Sequence, residues 1–139
     1  MIDQIYTDID QYRSDRDAFP LTLKLARLAG ILRTHFAMED EVLYPSMIES
    51  DQREAALTAR VFRNELVHIA AQFERFVERW SSSDAIAGAL RQFEYEAGML
   101  FAALRDRIDR EQRDLYPLAE KVGAPRNGAA FGAAGRLSA

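Results

Sequence analysis

Two segments of the chain match each other across a spacing of 72 residues, and this internal repeat constrains the fold more than any other feature. The first copy is residues 35–45, HFAMEDEVLYP, and the second is residues 107–117, RIDREQRDLYP. Each copy carries a glutamate at its fifth position and ends on Leu-Tyr-Pro. A weaker match, spaced by 64 residues, relates residues 4–12 to residues 68–76 at their hydrophobic positions. Such repeats indicate architecture, so we predict two related helical hairpins.

Apolar residues recur at helical spacing through most of the chain, and no stretch alternates as a strand would. We expect four helices, near residues 2–12, 19–45, 51–80 and 86–117. Ser50-Asp51 and Ser81 to Asp84 supply residues that favour helix starts. Pro45 and Pro117 are expected to end the second and fourth helices. Four helices with short loops predict an all-α, up-down-up-down antiparallel four-helix bundle.

The composition fits one soluble domain. A length of 139 residues suffices for a single core, and the glycine- and alanine-rich end predicts a bundle over residues 1–121 and a flexible tail over 122–139. No apolar run reaches the roughly 20 residues of a membrane span, and no signal segment is recognisable at the N-terminus. The net charge of -4 argues against a nucleic-acid partner. The absence of cysteine excludes disulfides and thiolate chemistry and suggests a cytoplasmic location.

A polar pair interrupts the inward stripe of the second helix. The stripe steps by four and three residues through Leu21, Leu25, Leu28, Leu32, His35 and Glu39. Residues four apart share a helix face, so His35 and Glu39 should both lie in the core. Burying such a pair is costly unless a partner satisfies it, and a metal ion in a helix bundle is one such partner.

The two repeats do not keep the same polar residues. Arg107 takes the place of His35 in the second copy of the longer repeat, whereas Glu111 keeps the place of Glu39. In the weaker repeat, Gln4 aligns with His68. Each hairpin therefore keeps one histidine and lacks the one that its partner has.

These residues resemble the hemerythrin-like, or HHE, domains, and the resemblance covers roughly residues 1–120. The family consists of four-helix bundles that hold a non-haem di-iron centre and that bind dioxygen, sense oxygen or redox state, or store iron. The resemblance implies that His35, Glu39, His68 and Glu111 are metal ligands. It also implies that Gln4 and Arg107 stand where two further histidines are expected. An amide is a weak ligand for iron, and a guanidinium has no lone pair to donate.

Two hypotheses follow from this ligand set. In one, His35, Glu39, His68 and Glu111 hold a single divalent ion in an oxygen- or redox-sensing protein. In the other, which we favour, the metal is lost and Arg107 balances the two glutamates in a non-catalytic binding or regulatory module. The expected cofactor is thus none or a single divalent metal, rather than a full di-iron centre.

No nucleophile with a nearby base is recognisable, so we do not expect an enzyme. A protein partner is possible but unidentified, and the oligomeric state is open. Tyr44 and Tyr116 of the Leu-Tyr-Pro triplets are interpreted as packing corners without a chemical role.

Overall fold

The computed structural model describes residues 2–15 and 17–124, and in these residues it contains helices and short connections but no strand. Two π-helical segments, π1 and π2, interrupt the regular α-helices. The elements are, in order, α1 (Ile2–Asp15), α2 (Phe19–Met38), π1 (Glu39–Leu43), α3 (Tyr44–Ile48), α4 (Arg53–Arg79), α5 (Ser83–Gly88), α6 (Leu90–Arg110), π2 (Glu111–Leu115) and α7 (Tyr116–Lys121). The predicted all-α fold class is confirmed.

Four long rods make up the bundle: α1; α2 with π1 and α3; α4; and α6 with π2 and α7. The rod that contains α2 and π1 is antiparallel to α4, because Arg33 pairs with Glu74 whereas the later residue Asp40 pairs with the earlier residue Arg63. The same holds for α4 and α6, where Glu65 pairs with Arg110 and Glu96 with Arg79.

The first helix closes the bundle against α6. Asp3 pairs with Arg105, and the Tyr6 hydroxyl donates to the Gly98 carbonyl, so α1 and α6 are antiparallel as well. Each long helix is therefore antiparallel to its neighbours, as the up-down-up-down prediction requires.

The core is formed by one apolar stripe from each rod. On α4 the buried side chains include Phe62, Leu66, Phe73 and Phe76, at most 5% exposed. Phe93 of α6 meets the rings of Phe76 and Trp80 at centroid distances of 5.7 and 5.4 Å. Burial of one such side chain contributes about 1.5–3 kcal/mol, so these stripes hold the four rods together.

Two predicted helix ends are wrong. Neither Pro45 nor Pro117 ends its helix, because a π segment precedes each proline and the helix continues as α3 or α7. In π1 the chain makes a wider turn, in which the Tyr44 N–H bonds to the Glu39 carbonyl. Each proline then falls in the first turn of a new α-helix, where its missing N–H is tolerated.

Other boundaries also differ from the sequence prediction. The fourth predicted helix is split at Ala89, whose backbone is not helical, into α5 and α6. Gln52 rather than Ser50 or Asp51 precedes α4, and the Ser50 hydroxyl donates to the Met47 carbonyl instead. Ser82 does cap α5, accepting from the Ala85 N–H at 3.1 Å.

The bundle ends in a glycine-terminated turn. Gly123 has a φ of 67° and follows α7, while the Ala124 N–H bonds back to the Ala119 carbonyl. Such a left-handed glycine is the usual end of a helix. Of the predicted tail, residues 122–139, the structure describes residues 122–124, and the rest lies outside the described residues. No helix in the described part of the chain is long and apolar enough to cross a membrane.

Candidate functional site

Four charged or titratable side chains meet inside the bundle, next to the π segments. His35, Glu39, Arg107 and Glu111 are each at most 4% exposed. The His35 Nε2 atom lies 3.1 Å from Glu111 Oε1 and 3.2 Å from Glu39 Oε1. These four residues share one core cluster, as the hypothesis in which Arg107 balances the two glutamates requires, and we call them the ionic cluster.

The helical repeat explains how these side chains reach the core. His35 and Glu39 are one turn apart on the rod that contains α2, and Arg107 and Glu111 are one turn apart on the rod that contains α6. Each pair continues an apolar stripe whose other members are buried, so the packing of the stripes carries the polar groups inward.

The guanidinium of Arg107 is surrounded by polar and aromatic groups from other parts of the bundle. Its Nε lies 3.3 Å from Glu111 Oε2, and its Nη2 lies 3.9 Å from Glu39 Oε1. The same Nη2 donates to the Tyr44 hydroxyl and, at 3.2 Å, to the Phe62 carbonyl. The guanidinium also lies 5.4 Å from the Phe62 ring centroid, within cation–π range. These contacts fix a permanent positive charge between the two glutamates.

Both tyrosines of the Leu-Tyr-Pro triplets make polar contacts with the ionic cluster, which the interpretation as packing corners did not include. Tyr116 donates its hydroxyl hydrogen to Glu111 Oε1 at 3.2 Å, and Tyr44 accepts from Arg107. Each tyrosine follows its glutamate by five residues, the spacing that a π turn brings together. That repeated spacing was the available signal, but it becomes informative only when a π turn is known.

Burial and neighbouring charges shift the pKa values of the ionic cluster. Burial alone would lower the pKa of His35, but hydrogen bonds to Glu111 and Glu39 outweigh it and raise the pKa to about 9. The pKa of Glu39 is raised to about 8, first by burial and then by a hydrogen bond shared with Glu111. In the metal-free protein, His35 is therefore protonated at neutral pH. The Glu39 carboxyl also holds a proton at neutral pH.

Glu111 shifts in the opposite direction to Glu39. Burial opposes ionisation of Glu111, yet hydrogen bonds from Glu39 and His35, together with the charges of His35 and Arg107, lower its pKa. Burial also raises the pKa values of Tyr44 and Tyr116, so both hydroxyl groups stay protonated. The cluster thus has one persistent carboxylate, Glu111, and one carboxyl that readily holds a proton, Glu39.

Two residues that the resemblance implicated lie away from the cluster. His68 is exposed on α4, two positions beyond the buried Leu66 and so nearly on the opposite side of the helix. Gln4 is exposed as well, and its amide donates to Asp8 Oδ1 at 3.3 Å. The ligand set that includes His68 therefore needs correction, as does the placement of Gln4 at a core ligand position.

Asp8 is a buried polar residue that sequence reasoning missed. It is 8% exposed among the buried residues of α1, and its second oxygen, Oδ2, has no hydrogen-bond partner in the described part of the chain. It lies between Ile5 and Ile9, both buried, so the helical stripe of α1 was the signal that could have indicated it.

Comparison with known families agrees with this geometry. The sequence-family model of the hemerythrin HHE cation binding domain matches residues 1–119, which is most of the chain. The chain belongs to this family. Neither a search of curated proteins nor one of solved structures finds a match. Within the hemerythrin family, this chain is a divergent member, because a single histidine contributes to its buried donor set.

The donor set does not fit the two metal ions that the resemblance implies. Among the described residues, the group able to hold an ion consists of His35, Glu39 and Glu111, whose ligand atoms lie within 4.8 Å of one another. Three side chains are too few for two ions, and Arg107 adds a positive charge beside them. One ion is compatible with the same three donors, because their ligand atoms lie close together in the core.

Proposed function

We propose that this chain is a hemerythrin-like domain with a degenerate di-iron site that acts as a non-catalytic binding or regulatory module. One observation carries the proposal: Arg107 lies in the core within 3.3 Å of Glu111 and 3.9 Å of Glu39. A guanidinium in that position opposes the negative charge that a metal ion would otherwise balance. Its Nη2 group donates hydrogen bonds to the Tyr44 hydroxyl and the Phe62 carbonyl, which hold the positive charge beside the two carboxyl groups.

The protonation of His35 supports the same proposal. A raised pKa of about 9 keeps a proton on the imidazole at neutral pH. A metal ligand must be deprotonated, so an ion would have to displace that proton and then remain near the charge of Arg107. The protonated His35 and Arg107 already supply two positive charges beside the Glu111 carboxylate, so an additional cation is disfavoured.

Burial of the ionic cluster supports a non-catalytic role. The side chains of its four members are at most 5% exposed, so a substrate has no direct contact with them. Perturbed pKa values often mark catalytic residues, but structural ion-pair networks produce them too. Here burial and contacts within the cluster together explain each shift.

A second candidate function uses a reduced metal site. His35, Glu39 and Glu111 supply one nitrogen and carboxylate oxygens, which suit iron, manganese or zinc. The close approach of three buried ligand atoms, within 4.8 Å of one another, favours this candidate specifically. When bound, such an ion would supply redox or Lewis-acid chemistry, in an oxygen- or redox-sensing protein. Arg107 would then hold Glu111 in place beside it.

Metal loading of three matched proteins distinguishes the two candidates. The wild type, Arg107→His and Arg107→Gln are each loaded anaerobically with ferrous iron, and bound metal and melting temperature are measured. We expect the wild type to bind no stoichiometric metal and to melt at the same temperature with or without iron. Arg107→His should bind about one ion per chain, because a second imidazole joins the three donors.

Arg107→Gln serves as the control, because it removes the positive charge without adding a good ligand. If the wild type binds about one ion per chain and its melting temperature rises by several degrees, the metal-independent proposal is wrong and the second candidate is correct. Gln4→His is expected to add no ligand, since position 4 is exposed.

A further inference from the structure

One exposed face of α6 carries large apolar side chains that the bundle does not use. Tyr95 and Met99 are 65% and 63% exposed and lie one helical turn apart. Arg91 lies one turn before Tyr95 on the same face, and Asp106 lies at its other end. We define the α6 stripe as Arg91, Tyr95, Gly98, Met99, Ala102 and Asp106.

The surface beside the α6 stripe is concave and partly apolar. A groove of about 640 Å³ runs between α4 and α6, and Tyr95 and Met99 form part of its wall. Phe76 and Leu100 contribute to the same groove. Arg75, Arg79 and Glu96 also line this groove. Two large exposed apolar residues beside a groove with an apolar part and a charged rim resemble a protein interface more than an ordinary solvated helix face.

The charges at the two ends of the α6 stripe are available to a partner. Arg91 forms no ion pair or hydrogen bond with any residue that the structure describes. Asp106 accepts no hydrogen bond there either, and acts on Arg110 and Arg113 through its charge alone. Arg110 is already engaged by Glu65 at 2.7 Å. The stripe therefore has a basic end, an apolar middle and an acidic end.

This pattern complements itself when two copies of α6 pack in antiparallel orientation. A two-fold axis midway between residues 98 and 99 sets Arg91 opposite Asp106 of the partner subunit, and the reverse at the other end. The two charged ends are about 22 Å apart along the helix. Parallel packing would instead set Arg91 against Arg91 of the partner subunit, which is unfavourable.

Side-chain size is complementary about the same axis. Tyr95 faces Ala102 of the partner subunit, and Met99 faces Gly98 of the partner subunit, so each large residue meets a small one. A Cβ atom added at Gly98 would meet nothing within 4 Å, which leaves open space above this glycine for a partner side chain. Large residues against small ones allow two helices to approach closely.

We propose that this chain forms a homodimer through antiparallel packing of the α6 stripe against a second copy. The interface is isologous, so the same residues contribute from both copies and the assembly closes at two. This proposal does not depend on whether the ionic cluster binds a metal, because the α6 stripe faces away from that cluster.

Charge reversal tests the proposal directly. Sedimentation velocity measures the dimer Kd of the wild type, Arg91→Asp and Asp106→Arg. Each single reversal sets like charges at both ends of the interface and should raise the Kd at least about tenfold. The double variant Arg91→Asp with Asp106→Arg restores opposite charges at both ends and should dimerise like the wild type.

Mixing the two single variants provides a second test. One then offers two acidic ends and the other two basic ends, so an equimolar mixture should form a heterodimer although neither variant self-associates. Arg60→Asp and Glu78→Arg are matched controls on exposed positions of α4 and should leave the Kd unchanged. Melting temperatures establish that all variants fold.

Several outcomes would overturn the proposal. A wild type that remains monomeric up to about 1 mM has no useful self-association. A dimer whose Kd is unaffected by both single reversals uses another surface. If the reversals weaken the dimer but the double variant and the mixture fail to recover it, the antiparallel pairing of Arg91 with Asp106 is wrong.

Discussion

Arg107 is the residue that most distinguishes this core from a metal site. A guanidinium carries five N–H donors and cannot give up its charge, so burial requires acceptors on several sides. Here two glutamates, the Tyr44 hydroxyl and the Phe62 carbonyl surround it. Loss of the side chain would leave these groups in the core without their cation.

Arg107→Ala should therefore destabilise the fold strongly. Removing one member of a buried ionic group typically costs about 3–5 kcal/mol, because its partners, here Glu111, the Tyr44 hydroxyl and the Phe62 carbonyl, stay buried without the contacts that the guanidinium supplies. Urea unfolding monitored by circular dichroism measures the change. Arg60→Ala, an exposed control, should stay within about 0.5 kcal/mol of the wild type. A loss below about 1 kcal/mol for Arg107→Ala would contradict the structural role assigned to the guanidinium.

Tyr116 contributes through one hydroxyl group. Tyr116→Phe removes the hydrogen bond to Glu111 while keeping the ring, and should cost about 1–2 kcal/mol since the acceptor is charged and buried. The free energy of unfolding provides the measurement. Tyr95→Phe is the matched control, because that hydroxyl lies on a side chain 65% exposed. Equal effects of the two substitutions would show that the Tyr116 hydroxyl has no special contact.

At the scale of elements, the two π segments are the unusual feature of the bundle. Each begins at a glutamate of the ionic cluster and ends just before a tyrosine that contacts the cluster. If the same residues continued as an α-helix, each tyrosine would lie about 100° further around the helix axis, because an α turn accommodates about one residue fewer than a π turn. The wide turns therefore set the direction of Tyr44 and Tyr116.

Deletion of Val42 tests this account of π1. Removing one residue should convert the π turn to an α turn while Tyr44 and Met47, both 0% exposed, keep nearly the same direction, because the extra residue and the wide turn are lost together. The expected loss is below about 1.5 kcal/mol, less than the burial of one such side chain contributes. Thermal and urea unfolding measure it. Deletion of Arg27, an exposed residue within the regular helix α2, is the control and should cost about 3 kcal/mol or more, because it rotates buried side chains out of the core. Equal losses for the two deletions would contradict the assignment of one extra residue to π1.

For the molecule as a whole, the ionic cluster links stability to pH. His35 and Glu39 have pKa values raised to about 9 and about 8, above their ordinary values of 6.5 and 4.5. Between the ordinary and the raised values, the folded protein holds protons that the unfolded chain has released. For each group, the resulting stabilisation is complete at a pH below its ordinary pKa and is lost as the pH rises through its raised pKa.

The metal-free protein should thus lose stability as the pH rises from 5 to 9.5, most steeply between about 6.5 and 8, where both windows overlap. The lowered pKa of Glu111 has the opposite sign and removes stability in acid, below about 4.5. Urea midpoints across this range provide the measurement. Glu39→Gln mimics the protonated carboxyl and should flatten the curve below pH 8. A stability that rises from pH 6.5 to 9 would contradict the assigned directions.

The sequence by itself determined the fold class, the order of the long helices and which faces point inward. Burial of an apolar stripe depends on the helical spacing of apolar residues, and this spacing is visible in the sequence. For the same reason it placed His35, Glu39, Arg107 and Glu111 in one core cluster, since each of these residues continues a stripe. The role of that cluster, as a metal site or an ionic core, stays a prediction.

Only the tertiary structure decided the features that depend on register and on contacts between rods. A π turn adds one residue without changing the hydrophobic pattern before it. The sequence therefore could not predict that the helices continue past Pro45 and Pro117. The contacts of Tyr44 and Tyr116 with the ionic cluster follow from those turns. His68 and Gln4 matched by alignment, but helical phase within the packed bundle turns both to the surface, because burial follows the angle of a residue about its helix rather than its position in a repeat.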